Sequence, residues 1–195
     1  MGLNLDEAQQ TMLVDYVLLI DKWNKVHNLT AIRDPLDMVT LHLLDSLSVL
    51  SDVRALAPKT MLDVGAGAGL PSIPLAICMP ELQVTAIDAV QKKASFMRQV
   101  KGELGLANFQ VKAGRVESLA NETKFDVIIS RAFSEISLFL DLTHHLLAIG
   151  GKWLAMKGVV PNHEFEKSQI QPLEIKALKV AGLDAERHLI VLQKS

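Results

Sequence analysis

Thr60-Met61-Leu62-Asp63-Val64-Gly65-Ala66-Gly67-Ala68-Gly69-Leu70-Pro71 is the stretch on which the rest of the chain depends. An apolar run closes on an acid, three alternate glycines follow, and a proline opens another apolar segment. That is the pattern of a buried strand, a tight loop and a helix start. Glycine takes positive φ freely and, having no Cβ, lets a ligand lie on bare backbone. The free N–H groups of the next helix favour an anionic group in the same place. Pro71 suits a first helical turn, where its missing N–H costs nothing, and Pro74 is expected to mark the limit of that turn.

The spacing narrows the ligand. A dinucleotide fingerprint needs G-x-G-x-x-G and would put its third glycine at Leu70, while a P-loop needs a Gly-Lys-Ser/Thr ending. Asp63-x-Gly65-x-Gly67-x-Gly69 instead resembles the first motif of the S-adenosylmethionine-dependent methyltransferases with a Rossmann-like fold. The glycines by themselves also fit a tight turn that holds nothing. Downstream, Gln83-Val84-Thr85-Ala86-Ile87-Asp88 reads as a strand ending in an acid. It lies about 20 residues past the glycines, where α/β nucleotide folds place a carboxylate for the ribose hydroxyls. Asp88 also fits a cap for a helix over Gln91 to Leu104. Strand, glycine loop, helix, strand and acid in that order favour the ligand.

At 195 residues the chain suits one α/β domain with an extension. A hydrophobic content of 49% excludes a disordered or collagen-like chain. The single cysteine, Cys78, can form neither an intrachain disulfide nor a cysteine-cluster metal site, which points to a reducing cytoplasm. Met12 to Ile20 is the most apolar early run and is too short to span a bilayer, so no membrane partner is expected. A net charge of −2 argues against a general DNA or RNA binder; any nucleic-acid role must use a local basic patch.

Asp6-Glu7-Ala8-Gln9 forms a capping-box pattern, and Met12, Tyr16, Ile20 and Trp23 recur behind it at helical spacing. Asp34-Pro35 starts a second helix, with Met38, Leu41, Leu44 and Leu47 as its expected inner face. His42 and Asp45 share one face of that helix, and a local hydrogen bond at the junction is preferred there over catalysis. From Thr60 strands and helices alternate, which predicts a mainly parallel sheet with right-handed crossovers. Strands are expected at Thr60–Val64, Val84–Asp88, Phe109–Ala113, Phe125–Ser130 and Lys152–Met156. Helices are expected at Pro71–Met79, Gln91–Leu104 and Ile136–Leu147, and an antiparallel pair, Ile175–Lys179 with Arg187–Leu192, closes one edge.

Trp23-Asn24-Lys25, Asn28-Leu29-Thr30 and His42-x-Leu44-Asp45-Ser46 resemble the RsmG family, also called glucose-inhibited division protein B. The resemblance continues through Asp63 to Leu75, Arg115-Val116-Glu117, Ser130-Arg131-Ala132-Phe133, Lys157-Gly158 and Glu186-Arg187-His188, nearly the whole chain. Leu41 stands where the family usually has arginine, and Ser72 where glycine is usual. The resemblance implies a bacterial enzyme that methylates N7 of a guanine in 16S ribosomal RNA, free or within the small subunit, with S-adenosyl-L-methionine as cofactor. It implies an α/β, Rossmann-like class I methyltransferase fold with a mainly parallel sheet, a C-terminal antiparallel strand and a helical N-terminal cap. Residues 1–59 would form that helical extension and 60–195 the catalytic core of a single domain; no oligomer is implied.

The same resemblance places Gly65 and Leu70 at the methionine end of the cofactor, Val116 and Glu117 around its adenine, and Arg131 at the meeting of cofactor and substrate. With Asp63, Gly67, Gly69 and Asp88 these make the expected cofactor site. Glu117 also reads as an ordinary acid at a helix start. Arg131, set between Ile128-Ile129-Ser130 and Ala132-Phe133, is costly to bury unpaired; it pairs with an anion in the cleft or with a carboxylate such as Glu117. The fourth strand lacks the Asn/Asp-Pro-Pro-aromatic turn of enzymes that methylate exocyclic amines, and Cys78 lies on the cofactor side, away from a nucleophile's place. Guanine N7 needs neither, because it already presents a lone pair.

RNA contacts are expected from Arg98 and Lys101 in the basic helix, and from Lys25 and Arg33 near the N-terminal cap. A third basic cluster is Arg187-His188. A solvated helix face is the alternative for Arg98 and Lys101. Phe133 fits stacking on the substrate base or ordinary core packing.

Overall fold

The structure is a computed structural model, and it describes residues 3–120, 122–131, 133 and 135–194. Ala132, within the motif around Arg131, lies outside the described residues. The strands β1 (Thr60–Val64), β2 (Gln83–Asp88), β3 (Phe109–Ala113), β4 (Phe125–Ser130), β5 (Leu147–Lys157), β6 (Glu174–Ala177) and β7 (His188–Gln193) form one sheet in the order β3-β2-β1-β4-β5-β7-β6. The first five run parallel, and β7 lies antiparallel between β5 and β6. The strand order reverses between β1 and β4, and in open α/β sheets ligands bind at that point, beyond the strands' C-terminal ends. The glycine loop leaves β1 and Arg131 leaves β4, so both stand there.

Side chains alternate across the sheet. Met61 enters the core beneath α1 (Glu7–His27), α5 (Ser72–Cys78) and α6 (Gln91–Leu104); Leu62 and Val64 enter the opposite core beneath α7 (Ile136–Thr143). The Asp6 and Gln9 capping box is present at the start of α1. Tyr16 and Ile20 are fully buried in the expected stripe, while Met12 and Trp23 are half-buried at its ends. Trp23 packs edge-on to Phe96 of α6, with ring centroids 5.5 Å apart.

Two expectations need correction. The second helix runs as α2 (Pro35–Met38), a π-helical segment (Val39–Leu44) and α3 (Asp45–Leu47), and α4 (Leu50–Leu56) follows before β1. The wider turn rotates the inner face, so His42, Leu43 and Asp45 are buried where Leu41 and Leu44 are only half-buried. Pro74 sits in the first turn of α5, as expected, where no intrahelical N–H bond is needed, and the helix continues to Cys78. At the far end, α7 stops at Thr143 and β5 begins at Leu147 rather than Lys152. Thr143 Oγ1 donates to Phe139 O and accepts from Trp153 Nε1 at 2.9 Å, and Gly150 takes φ +77° within an outward bulge of β5.

Candidate functional site

The glycine loop folds back on the end of β2. Gly65 and Ala66 both donate their N–H to Ile87 O, at 2.9 and 3.2 Å, and Gly67 N–H donates to Asp88 Oδ2 at 2.8 Å. The glycines divide the work that a sequence pattern assigns to all of them. At Gly69, φ +90°, a Cβ would come within 2.7 Å of Ile73 Cγ1, so the protein's own packing requires the missing side chain. At Gly67, φ +62°, a Cβ would meet nothing within 4 Å. The cradle over Gly67 is room that the protein leaves open beside a cavity.

Asp63 is fully buried behind this loop and lines none of the cavities described below. Its Oδ2 accepts the Ser72 N–H at 3.2 Å, so the helix N–H expected to face a ligand is spent inside the protein. Burial pushes the Asp63 carboxyl up to about 7, against the Ser72 hydrogen bonding and the Arg131 charge, which both pull it down. Its place fits holding the loop.

Three cavities follow the C-terminal edge of the sheet. The first, about 260 Å³, has apolar walls from Val64, Ile87, Val116, Phe133 and Leu142, with Asp88 and Glu117 as its acids. Asp88 Oδ1 accepts from Val90 N–H and Oδ2 from Gly67 N–H, each at 2.8 Å, leaving further lone pairs for hydroxyl groups. Val90, not Asp88, occupies the N-cap position of α6, where no side-chain cap is made. A flat base between apolar walls and a diol on a carboxylate fit this cavity.

The second cavity, about 240 Å³, runs over Gly65, Ala66, Gly67, Ala68 and Leu70 and carries the cations Lys93 and Arg131. It fits the amino-acid end of a nucleoside cofactor. The third, about 450 Å³, is a cleft that includes His42, Asp45, Arg131, Lys157, Arg187 and His188. Gly65 belongs to the first and second cavities, and His42 and Arg131 to the second and third. The three cavities are therefore neighbours along the sheet edge, separated by no more than these shared residues.

Arg131 Nη1 donates to Asp45 Oδ2 at 2.9 Å and to Leu41 O at 3.3 Å, so its carboxylate partner is Asp45, not Glu117. His42 is buried, with Nε2 2.8 Å from Thr30 Oγ1. Burial, and then the Arg131 charge, lower its pKa, which keeps the imidazole neutral at pH 7. The Asn24 side chain sets this corner: its amide donates to Ile32 O at 2.8 Å and its oxygen accepts from Thr30 N–H at 2.9 Å. That pins the loop after α1 and delivers Thr30 to His42.

The expected RNA contacts are scattered. Lys25 pairs with Asp21 at 2.7 Å on the exposed side of α1. Arg33 donates to Asn28 Oδ1 at 2.8 Å and to Asn24 O at 3.3 Å, closing its own loop. Along α6, Lys93 reaches the cavity from the first turn, while Lys101 sits roughly 12 Å further along the helix, at 1.5 Å rise per residue, with Arg98 just before it. Phe133 is half-buried against Phe139, with centroids 5.2 Å apart, and lines the nucleoside slot rather than the cationic cleft. Four residues carry more of the site than the sequence suggested: Asp45, Lys93, Lys157 and Arg187. For Asp45, Lys157 and Arg187 the available signal was their place in short polar motifs, His42 to Ser46, Lys157-Gly158 and Glu186-Arg187-His188; for Lys93 it was the basic start of the helix over Gln91 to Leu104.

The model of the GidB family, described as rRNA small subunit methyltransferase G, matches residues 9–190. Ribosomal RNA small subunit methyltransferase G of Methylobacillus flagellatus is 60% identical over 192 residues, covering 98% of this chain and 92% of that protein. The protein of the same name from Aromatoleum aromaticum is 51% identical over 201 residues, covering 100% and 94%. Among solved structures, an O-methyltransferase from Bacillus cereus in complex with SAH superposes with a TM-score of 0.65 at 19% identity, covering 93% of this chain and 90% of that one. A methyltransferase from Geobacter sulfurreducens gives 0.66 at 15% identity, covering 91% and 90%. Both share the fold.

Proposed function

This chain belongs to the GidB family, and on that footing we propose that it transfers a methyl group to N7 of a guanine in 16S ribosomal RNA, with S-adenosylmethionine as donor. The observation that supports this reading is the adjacency of the apolar slot, the glycine-loop cavity and the cationic cleft, which share Gly65, His42 and Arg131 as lining residues.

When bound, S-adenosylmethionine supplies an electrophilic methyl group on a sulfonium centre. Asp88 would accept the ribose hydroxyls, and Val116, Phe133 and Glu117, which line the same cavity, would hold the adenine. Gly65, Gly67 and Leu70 floor the amino-acid end, which Lys93 and Arg131 face with positive charge; Asp63 and Gly69 shape the loop from behind. Guanine N7 has an in-plane lone pair and no proton to lose, so the protein must align, exclude water and tolerate a cationic product rather than abstract a proton. Arginine commonly reads guanine through N7 and O6 together. A donor on N7 would occupy the reacting lone pair, so Arg131 acts from the side, on O6 or on a neighbouring anion. Its Nη1 is already held by Asp45 and Leu41 O. Arg98, Lys101, Lys25 and Arg33 supply outer contacts to the RNA beyond the cleft.

Among the described residues no helix is long and apolar enough to cross a membrane. Work on ribosomal RNA places the protein in the cytoplasm, with the RNA or the small subunit as its partner. Incubation with cofactor labelled in the methyl group and small-subunit RNA tests the reading. The label is expected in 7-methylguanosine after digestion to nucleosides; label in another nucleoside, or only in small-molecule acceptors, contradicts it.

A further inference from the structure

Asp45 is buried, its side chain 4% exposed, and it stands between two arginines from distant parts of the chain. Arg131 Nη1 lies 2.9 Å from Oδ2 and Arg187 Nε 2.8 Å from Oδ1. One follows β4 and the other precedes β7, strands separated in the sheet by β5. Arg131 spends Nη1 on Asp45 and Leu41 O, and Arg187 spends Nε on Asp45 and Nη1 on Glu186 O. The Nη2 groups of both remain for a ligand among the described residues.

The charges do not balance. One carboxylate faces two guanidinium groups. Asp45 is the only carboxylate among the described residues that line this cleft. Like charges gathered in a half-enclosed cavity raise the energy of the folded protein unless an anion enters. Arginine's planar fork also suits phosphate better than a point charge does.

The geometry points to a phosphodiester clamp: Arg131 and Arg187, held side by side by Asp45, grip one RNA phosphate flanking the reacting guanine. Asp45 is the positioning residue of this clamp. The inference rests on the reading that the substrate is RNA. A cofactor carboxylate is the competing anion, but Arg187, Lys157 and His188 line the cleft and not the cavity over the glycine loop.

The test is equilibrium binding of small-subunit RNA over a range of salt, with cofactor affinity and thermal stability measured alongside. Arg187→Gln is expected to weaken RNA binding and to flatten the slope of log K against log salt by about 0.7, one single-strand phosphate contact, with unchanged cofactor affinity. For Asp45→Asn two effects have opposite signs. Deleting a negative charge by itself favours RNA, whereas loss of the clamp weakens RNA binding, by about tenfold for a charge-assisted pair. Weaker binding is the expected result. Equal or tighter RNA binding by folded Asp45→Asn overturns the positioning role, and if that variant does not fold, Arg187→Gln decides alone. An unchanged slope in Arg187→Gln, or a loss that falls on cofactor affinity instead, overturns the clamp. A wild-type protein that transfers no methyl group to RNA overturns the functional reading and the clamp with it; wild-type transfer with an unchanged Arg187→Gln slope overturns the clamp only.

Discussion

Tyr16 Oη donates to the carbonyl oxygen of Ala68 at 2.7 Å, tying the first helix to the middle of the glycine loop. Tyr16 is fully buried, so water cannot take the place of this bond. We infer that residues 1–59 are part of the catalytic domain and brace its cofactor loop. Tyr16→Phe is expected to lower stability by about 1–3 kcal/mol in denaturant melts, because it strands a buried carbonyl. It is also expected to weaken S-adenosylmethionine binding in calorimetry. Unchanged cofactor affinity in a destabilised variant would show the contact to be structural only.

The glycine loop offers a paired comparison. Gly67→Ala and Gly69→Ala both force a Cβ into a positive-φ position, at about 1–2 kcal/mol each. Only Gly69→Ala also collides with Ile73. Gly69→Ala should therefore show the lower melting temperature, while Gly67→Ala should lose cofactor affinity out of proportion to its stability. Equal loss of stability and equal cofactor affinity in the two variants would contradict this division of roles.

Asp63 gives a pH prediction. Its carboxyl titrates near 7 in the folded protein against an ordinary value of 3.8, so in that window the folded state holds a proton that the unfolded state has lost. Its contribution to stability is greatest below the unfolded value and falls as pH rises through about 7. Asp63→Asn removes this slope without changing the side chain's shape. The melting temperature of the variant relative to wild type should climb between the two pH values. Parallel curves would mean that Asp63 is not held protonated.

The fold was legible because its signals are local. Alternating apolar runs, the glycine loop and the acid of β2 each announce one element, and strand–helix alternation announces a mainly parallel sheet. That Gly65, Asp88, Val116 and Glu117 line one cavity was within reach for a related reason, since they stand at or just beyond strand ends, and the family resemblance singled out Val116 and Glu117. The cleft was not, because Asp45, Arg131 and Arg187 meet only after residues 86 and 142 positions apart are folded together. The π-helical segment hid Asp45 further by turning the inner face away from the 3.6-residue pattern. Arg98 and Lys101 stand in a basic run of which only Lys93 lines the cavity over the glycine loop.

One measurement bears most directly on transfer to N7. Methylation at N7 makes the guanine cationic and weakens its imidazole ring, so borohydride reduction followed by aniline cuts the RNA chain at the modified position. After incubation of small-subunit RNA with cofactor and enzyme, a single new cleavage site is expected, and Arg131→Lys should lose most of it while remaining folded. Methyl transfer that leaves the RNA resistant to this cleavage, or full cleavage by the lysine variant, would contradict transfer to N7 beside Arg131.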